Sequence, residues 1–144
     1  MKTVDQILRE KGPGFWSVAP DMAVYTALEL MAQKNVGALP VMDGEHLAGI
    51  FSERDYARKV VLEGKSSKET PVRQIMTAKV VCAKLGQSIE ECMALMTDKH
   101  CRHLPVIDEN KVVGVISIGD VVKALLSEQT FVISQLEHYI SGSI

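Results

Sequence analysis

An internal repeat constrains this chain more than any other feature of its sequence. Residues 16–56 align with residues 81–121 without a gap, at an offset of 65 residues. Ten of these 41 positions are identical, whereas average composition gives about two or three by chance. The identical pairs are Leu30/Leu95, Met31/Met96, Lys34/Lys99, Leu39/Leu104, Pro40/Pro105, Val41/Val106, Asp43/Asp108, Gly49/Gly114, Ser52/Ser117 and Asp55/Asp120. The chain therefore contains two copies of one supersecondary unit.

A shorter echo precedes each copy. Val4–Leu8 reads VDQIL and Val72–Met76 reads VRQIM, at an offset of 68 residues. The first copy thus has three extra residues, which we place in the loop around Gly12-Pro13-Gly14. We predict a first repeat at 1–64, a linker at 65–71, a second repeat at 72–128 and a C-terminal helix at 129–144.

Each copy has the order β-α-β-β-α. Short apolar runs at Trp16–Val18 and Val80–Ala83 predict a first strand. A helix follows, with apolar residues at i, i+4 and i+7: Val24, Leu28 and Met31 in one copy, Ile89, Met93 and Met96 in the other. Ser88 and Glu91 predict a capping box for the second of these helices.

The remainder of each copy predicts a hairpin and a second helix. Two apolar runs are separated by DGEH in the first copy and by DENK in the second, as in a β-hairpin. A helix from Asp55 to Glu63 then ends at Gly64. The predicted fold class is α+β. One copy of about 60 residues buries little surface alone. We therefore expect the two to pack together around a cleft, a usual place for a ligand.

Each hairpin is followed directly by the motif S-x-x-D, Ser52–Asp55 in the first copy and Ser117–Asp120 in the second. One interpretation is structural, because a serine N-cap and an acid three residues later resemble a capping box and suit the helix dipole. The other is a ligand site, since the start of a helix also binds phosphate. The residues alone leave both interpretations open.

Composition excludes several classes of protein. The chain is 47% hydrophobic and 24% charged, which is typical of globular proteins, and its net charge of −2 provides no basic field for nucleic acid. No apolar run approaches the length of a membrane span, and the first residues lack the apolar region of a signal peptide. The three cysteines show no paired spacing. We therefore expect a cytoplasmic protein with no role at the membrane.

Catalysis is not predicted. His100, Cys101 and His103 are close in sequence, but alternation along a strand would divide them between two faces, and a metal site needs more ligands. A Cys-His nucleophile pair is not supported either, because no oxyanion or acyl-transfer motif accompanies it. We predict no metal site, no required cofactor and no enzymatic activity.

Two copies of LPV-x-D, each followed by a hairpin and by G-h-h-S-x-x-D (h, apolar), resemble a CBS-domain pair, also called a Bateman module. The resemblance covers nearly the whole chain. It is strongest to small stand-alone bacterial proteins of this family, and it extends to plant proteins with a single CBS pair. The stretches ERDYARKVVLEGKSSKETPVRQIMT and ISIGDVVKALL carry it in addition to the repeated motif.

The resemblance implies binding and regulation. CBS pairs bind adenosine-containing ligands such as AMP, ADP, ATP, NAD or S-adenosylmethionine in their cleft, and they commonly regulate a partner. The family fold is α+β, and pairs usually dimerise. We therefore expect a homodimeric sensor of adenine nucleotides that acts on a separate effector protein, because this chain has no room for an attached enzyme.

The resemblance also implies which residues bind the nucleotide. Asp55 and Asp120 are expected to accept hydrogen bonds from ribose hydroxyls, as the acidic residue of Rossmann proteins does. Arg102 and His103 are expected to reach phosphates, since Arg binds phosphate bidentately. The further candidates are Ser52, Arg54, Ser117, Ile118, Leu104, Pro105, Gly37, Ala38, Pro40, Ser17, Val18, Thr77, Lys79 and Val81. Arg102 and Lys79 also fit ordinary surface positions.

The two half-sites should differ. The first copy has Gly37 and Ala38 where the second has Arg102 and His103, so only the second supplies basic side chains before LPV. We therefore predict the better nucleotide site around Asp120. Two rival functions remain open. One is an interaction protein that works through its C-terminal helix, and the other is a nucleic-acid binder, which the net charge and the 5% aromatic content disfavour.

Overall fold

The computed structural model describes residues 2–141, and residues 142–144 of the predicted C-terminal segment lie outside the described residues. Two compact units are formed. The first, here called the Asp120 unit, comprises the chain up to Pro13, Cys82–Asp108 and the chain from Gly114 onward. The second, the Asp55 unit, comprises Gly14–Val81 and Glu109–Val113.

Among the described residues, the elements follow the predicted repeat. The helices are α1 (Val4–Lys11), α2 (Val24–Lys34), α3 (Glu53–Tyr56, continued by a π-helical turn at Ala57–Val61), a 3₁₀ turn at Val72–Gln74, α4 (Ile89–Lys99) and α5 (Ile118–Ser141). The strands are β1 (Ala38–Asp43), β2 (His46–Ser52), β3 (Ala83–Lys84), β4 (His103–Asp108) and β5 (Lys111–Ser117). The predicted α+β fold class is confirmed. No helix of the described chain has both the length and the apolarity that crossing a bilayer requires.

Both predicted hairpins are present. Strands β1 and β2 pair antiparallel, from Ala38 opposite Ser52 to Asp43 opposite His46, with a register shift after Val41. Strands β4 and β5 are neighbours in a sheet of order β3-β4-β5. Their turn residues Glu109 and Asn110 both have positive φ, 49° and 64°. Two positive φ values are what a two-residue type I′ turn requires, so the turn matches the right-handed twist of the strands.

The first strand of each copy is shorter than predicted. In the second copy it is limited to β3, which pairs parallel with β4 through Ala83 and Val106. In the first copy only the single bridge between Val18 and Val41 remains, at the equivalent positions. Trp16, predicted as strand, is 52% exposed. The chain thus adds only one or two backbone pairings here before it turns into α2 or α4.

Two boundaries also differ from the sequence pattern. Helix α4 ends at Lys99 and is capped by His100 with a φ of 54°. Strand β4 therefore begins only at His103, and the strand alternation predicted from His100 is wrong. The predicted C-terminal helix is not separate from the second repeat, because α5 runs without a break over 24 residues.

The segment that begins each repeat, here called its leading segment, belongs to the unit formed mainly by the other repeat, so the leading segments of the two copies are exchanged. Helix α1 begins the first copy, yet it belongs to the Asp120 unit, where Val4 N donates to Gln87 O and Asp5 N donates to Leu85 O. Thr77, in the leading segment of the second copy, exchanges two backbone hydrogen bonds with Ile50 of β2 in the Asp55 unit. Each hairpin is therefore completed by a segment from the other repeat.

The core residues follow the predicted periodicity in part, because Val24, Met31, Ile89 and Met96 are buried, whereas Ala27 and Cys92 are buried in place of the half-buried Leu28 and Met93. In the Asp55 unit the buried cluster is Val18, Val24, Ala27, Met31, Leu39, Val41, Phe51, Val60, Val72 and Ile75. The buried apolar residues of the Asp120 unit include Val4, Ile7, Ala83, Ile89, Cys92, Met96, Leu104, Val106, Ile116, Val121 and Ala124. Val4 and Ile7 of α1 are 0% and 4% exposed, so burial of α1 against the second repeat holds the exchanged segment in place.

Two equivalent glycines let the exchanged segments lie against β2 and β5. A β-carbon at Gly49 would lie 2.7 Å from Met76 Sδ and 2.8 Å from the Thr77 carbonyl oxygen. A β-carbon at Gly114 would lie 2.7 Å from Leu8 Cδ2, and its three nearest atoms all belong to the Leu8 side chain. The Thr77 carbonyl oxygen near Gly49 is held in place because it accepts a hydrogen bond from Ile50 N. The Leu8 side chain near Gly114, in contrast, can turn away.

We therefore expect Gly49→Ala to lower the free energy of unfolding by about 1–3 kcal/mol, the cost of overpacking a well-packed interior. Gly114→Ala is the matched control and should cost clearly less. Urea unfolding followed by circular dichroism measures both. Equal losses for the two variants would contradict the assigned role of the Thr77 backbone.

Candidate functional site

Both S-x-x-D motifs are reciprocal capping boxes. Asp55 N donates to Ser52 Oγ at 3.2 Å, and Ser52 N donates to Asp55 Oδ2 at 2.9 Å. Asp120 N donates to Ser117 Oγ at 3.1 Å, and Ser117 N donates to Asp120 Oδ2 at 2.8 Å. The structural interpretation of the motif is therefore confirmed at both copies. What can distinguish a ligand site is the use of the remaining carboxylate positions.

Each helix start is also hydrogen-bonded to the residue that precedes the first strand of its hairpin. Ile118 N donates to Arg102 O at 2.8 Å, and Glu53 N donates to Gly37 O at 3.1 Å. The residues just before LPV are thus next to the S-x-x-D motif in both units. This places the predicted basic residues Arg102 and His103 beside the motif that contains Asp120.

The Asp55 carboxylate is saturated. Besides Ser52 N, its Oδ2 accepts from Ser52 Oγ at 3.0 Å. Its Oδ1 accepts from Thr77 Oγ1 at 3.1 Å and is paired with Lys59 Nζ at 3.0 Å. A carboxylate offers about four lone-pair positions, and here four donors use them. Asp55 is also only 6% exposed. Its predicted ribose-binding role stays a prediction, which this geometry does not favour.

The Asp120 carboxylate is half used. Its Oδ2 accepts from Ser117 N and from Lys11 Nζ, the latter at 2.9 Å. No hydrogen bond from residues 2–141 reaches its Oδ1. The side chain is 22% exposed. Asp120 therefore keeps an acceptor oxygen for a ligand, unlike its counterpart in the first repeat.

The surroundings of Asp120 favour its charged form. Burial raises the pKa of its carboxyl group, but the hydrogen bond from Ser117 N, the hydrogen bond and charge of Lys11 and a weaker interaction with the Ser117 side chain together outweigh burial. The net result is a pKa below the ordinary value of 3.8. Asp120 is thus an anionic acceptor throughout the neutral pH range, as a ribose-binding carboxylate must be.

His103 is electrostatically coupled to the same cluster. Burial lowers its pKa below the ordinary 6.5, and the nearby charge of Asp120 opposes this. The positive charges of Lys11 and Arg102 lower the pKa further. At neutral pH the cluster therefore contains a neutral imidazole and two permanent cations beside one carboxylate, an excess of positive charge that favours an anionic ligand.

The other predicted residues divide by exposure. Buried positions can offer only backbone groups, and they are Val18, Ala38, Pro40, Leu104 and Pro105. Exposed positions are Ser17, Arg54, Thr77, Lys79, Arg102 and Ile118, while Gly37, Ser52, Val81, His103 and Ser117 are intermediate. In the first copy some backbone groups are already used, since Val18 N donates to Pro40 O and Val18 O accepts from Met42 N.

Two lysines were not identified from the sequence, Lys11 and Lys59. Lys59 lies four residues after Asp55 on the same helical stretch, a spacing that places the two side chains side by side. Lys11 corresponds to Lys79 at the offset of 68 residues that relates the leading segments. That alignment was the available signal, but it becomes informative only once the exchange of segments is known.

Two open grooves of the described chain are lined by neither of these carboxylates. One of about 650 Å³ follows α5 and is lined by Ile118, Gly119, Val122, Lys123, Leu126, Ser127 and Thr130. The other, of about 420 Å³, lies in the Asp55 unit beside Gly37, Glu53 and Tyr56. Only Ile118 and Gly37 of the predicted site residues line them. Within residues 2–141, no three His, Cys, Asp or Glu side chains are grouped as metal ligands.

Comparisons with known proteins agree on one family. The family model described as "CBS domain" matches residues 12–62 and 72–127. The CBS domain-containing protein CBSX3, mitochondrial, of Arabidopsis thaliana is 40% identical over 149 residues, which cover 97% of this chain and 72% of that protein. Because this relative is named as mitochondrial, the predicted cytoplasmic location stays a prediction.

Solved structures agree with the fold. A signal-transduction protein with CBS domains from Burkholderia ambifaria is 53% identical, with a TM-score of 0.85 over 89% of this chain and 96% of that one. The CBS domain pair of protein MJ0100, solved with 5′-methylthioadenosine and S-adenosyl-L-methionine, is 21% identical with a TM-score of 0.75, over 89% and 98%. At that identity the likeness extends to the fold alone.

The low pKa of His103 gives a test of the cluster. Below pH 6.5 the unfolded chain binds a proton at this position more readily than the folded chain does. The stability that neutral His103 contributes is therefore present above pH 6.5 and is lost as the pH falls towards its folded-state pKa. We expect His103→Gln to reduce the loss of melting temperature between pH 7.5 and 5.5. Differential scanning calorimetry measures this, with His46→Gln, an exposed position, as the control. A profile parallel to that of the unmodified protein would contradict the assignment.

Proposed function

This chain belongs to the CBS-domain family, and on that premise we propose that it is a non-catalytic sensor that binds an adenine nucleotide and signals to a separate protein. Membership supports the regulatory class, because the two matches to the CBS-domain model, residues 12–62 and 72–127, span most of this chain. The ligand class proposed is AMP, ADP, ATP or NAD(H). The effector protein and the homodimeric state belong to the same proposal.

One observation carries the choice of site, namely the half-used carboxylate of Asp120. Its Oδ2 is occupied by Ser117 N and Lys11 Nζ, while no hydrogen bond from residues 2–141 reaches Oδ1. A ribose presents two neighbouring hydroxyl donors, the arrangement that an ionised carboxylate accepts well. The low pKa of Asp120 keeps it ionised for this purpose.

The charges around Asp120 support a phosphorylated nucleoside. Arg102 is exposed at the start of β4, and its carbonyl oxygen is fixed by Ile118 N, so its position relative to Asp120 is defined. A guanidinium group binds phosphate through two parallel hydrogen bonds. Lys11 adds a second cation. The adenosine-containing ligands of the MJ0100 pair, which has the same fold, are consistent with this class.

The route of the signal is part of the proposal. Asp120 lies in the first turn of α5, and the same helix continues to Ser141. Its far part exposes large apolar side chains, with Phe131 65%, Leu136 56% and Tyr139 74% exposed. A ligand that binds at Asp120 thus acts on the helix that presents an apolar surface. It shifts that helix only if it binds two arrangements with different affinity.

Asp120→Asn is expected to weaken nucleotide binding at least about tenfold, as expected when a charge-assisted hydrogen bond is lost. Calorimetric titration with AMP, ATP, NAD and NADH measures this. Asp55→Asn is the matched change in the other copy. Because four donors meet a buried carboxylate there, we expect it to cost about 1–3 kcal/mol of stability instead. Absence of binding by all four compounds at millimolar concentration would exclude the proposed function.

The exposed apolar part of α5 favours a second candidate, an interaction protein that works without a nucleotide. Under this alternative, removal of residues 131–144 changes self-association, measured by light scattering, while nucleotides have no effect. Under the proposed function the truncated protein still binds nucleotide, because the donors and acceptors around Asp120 remain. The two measurements on one truncated protein separate the candidates.

A further inference from the structure

Lys11 links the N-terminal helix to the proposed ligand carboxylate. It is the last residue of α1, and its Nζ donates to Val115 O at 2.8 Å and to Asp120 Oδ2 at 2.9 Å. The side chain is 42% exposed, so solvent and ligands can reach it. All three residues belong to the Asp120 unit.

The acceptor positions of Asp120 limit how a diol can bind. Each carboxylate oxygen accepts about two hydrogen bonds. Ser117 N and Lys11 Nζ already take both positions on Oδ2. Two neighbouring hydroxyls that bridge a carboxylate need one position on each oxygen. The Ser117 bond belongs to the capping box of α5, whereas Lys11 reaches the carboxylate through a flexible side chain and can leave it.

We propose that Lys11 occupies the acceptor position that a vicinal diol needs, so that a ribose bound at Asp120 displaces Lys11 from the carboxylate. This inference rests on the proposed function and adds a step to it. Lys11 is then a specificity residue, because any ligand that uses Oδ2 must first displace it. Only a ligand with two adjacent hydroxyls gains a hydrogen bond to each carboxylate oxygen, which compensates for this loss.

Displacement has a structural consequence for α1. Its first turns are held by burial of Val4 and Ile7 and by the backbone hydrogen bonds of Val4 and Asp5. Its last turn contains Leu8, which packs over Gly114, and Glu10, which pairs with Lys2, and its end is held by Lys11 and by the Gly12 N–H, which donates to Leu8 O at 3.1 Å. When Lys11 leaves Asp120, we expect this last turn to open more often while the first turns stay in place.

Lys11→Met tests the displacement directly, since it removes the ammonium but retains most of the aliphatic side chain. We expect the variant to bind adenosine about two- to fivefold more tightly than the unmodified protein, the range for loss of a competing, partly exposed ion pair. Affinity for 2′-deoxyadenosine, which has one hydroxyl fewer, should not change. Titrations followed by NMR chemical shifts measure both nucleosides.

Arg9→Met is the matched control, because it removes a positive charge from the same helix. Arg9 pairs with Asp5 and is 75% exposed, and the hydrogen bonds and ion pair of Asp120 come from Ser117 and Lys11 instead. It should leave both affinities unchanged. If Lys11→Met binds adenosine no more tightly, or gains equally for 2′-deoxyadenosine, the displacement is overturned and nucleotide binding stands. If the unmodified protein binds neither nucleoside nor AMP at millimolar concentration, both proposals are overturned.

Hydrogen exchange of the unmodified protein gives a second measurement that does not depend on whether the variant folds. With saturating adenosine, the amide of Gly12 should exchange at least about twofold faster than in its absence, while Val4 and Asp5 exchange as before. 2′-Deoxyadenosine should leave Gly12 unchanged. Unchanged or slower exchange at Gly12 with adenosine would overturn the displacement of Lys11.

Discussion

The close approach of the exchanged segments to Gly49 and Gly114, by the Thr77 backbone at one and the Leu8 side chain at the other, is the constraint on which the rest of the structure depends. At each glycine, a β-carbon would lie within 2.7 Å of an atom of the exchanged segment. Because the space is empty, the segment of one repeat can lie against the hairpin of the other. That exchange brings Thr77 to Asp55 and Lys11 to Asp120. The absence of side chains at Gly49 and Gly114 therefore allows the contacts that Asp55 makes with Thr77 and Asp120 makes with Lys11.

The duplicated S-x-x-D motif forms the same capping box twice, but its two carboxylates differ in how many acceptor positions are used. The capping boxes are nearly superimposable in their hydrogen bonds, so they define where each carboxylate lies. The partners that arrive from elsewhere then differ. Asp55 meets a hydroxyl and a lysine in addition to Ser52 Oγ, and all its acceptor positions are used. Asp120 meets one lysine and retains an open oxygen. The divergence lies in the donors, which are Ser52 Oγ, Thr77 and Lys59 at Asp55 but Lys11 at Asp120.

Much of the fold could be predicted from the sequence because the repeat doubles every local signal. The hairpins, the two helices with apolar periodicity and the Ser88 capping box are all fixed by residues close in sequence. The asymmetry between the half-sites was also visible, in Arg102 and His103 opposite Gly37 and Ala38. Local patterns could not predict the exchange, since Lys11 and Asp120 are 109 positions apart. Nor could they predict that Asp55 is saturated, because that depends on Thr77.

The division of the backbone between the two units has a consequence for how such a chain can be cut or divided. The chain passes from one unit to the other at four places, after Pro13, Val81, Asp108 and Val113. No single cleavage of the backbone therefore separates one whole unit from the other. A gene split between the repeats would yield two pieces that each lack the segment needed to close their own hairpin. Such pieces could restore the fold only by pairing with one another, so the repeat is the unit of duplication but not the unit of folding.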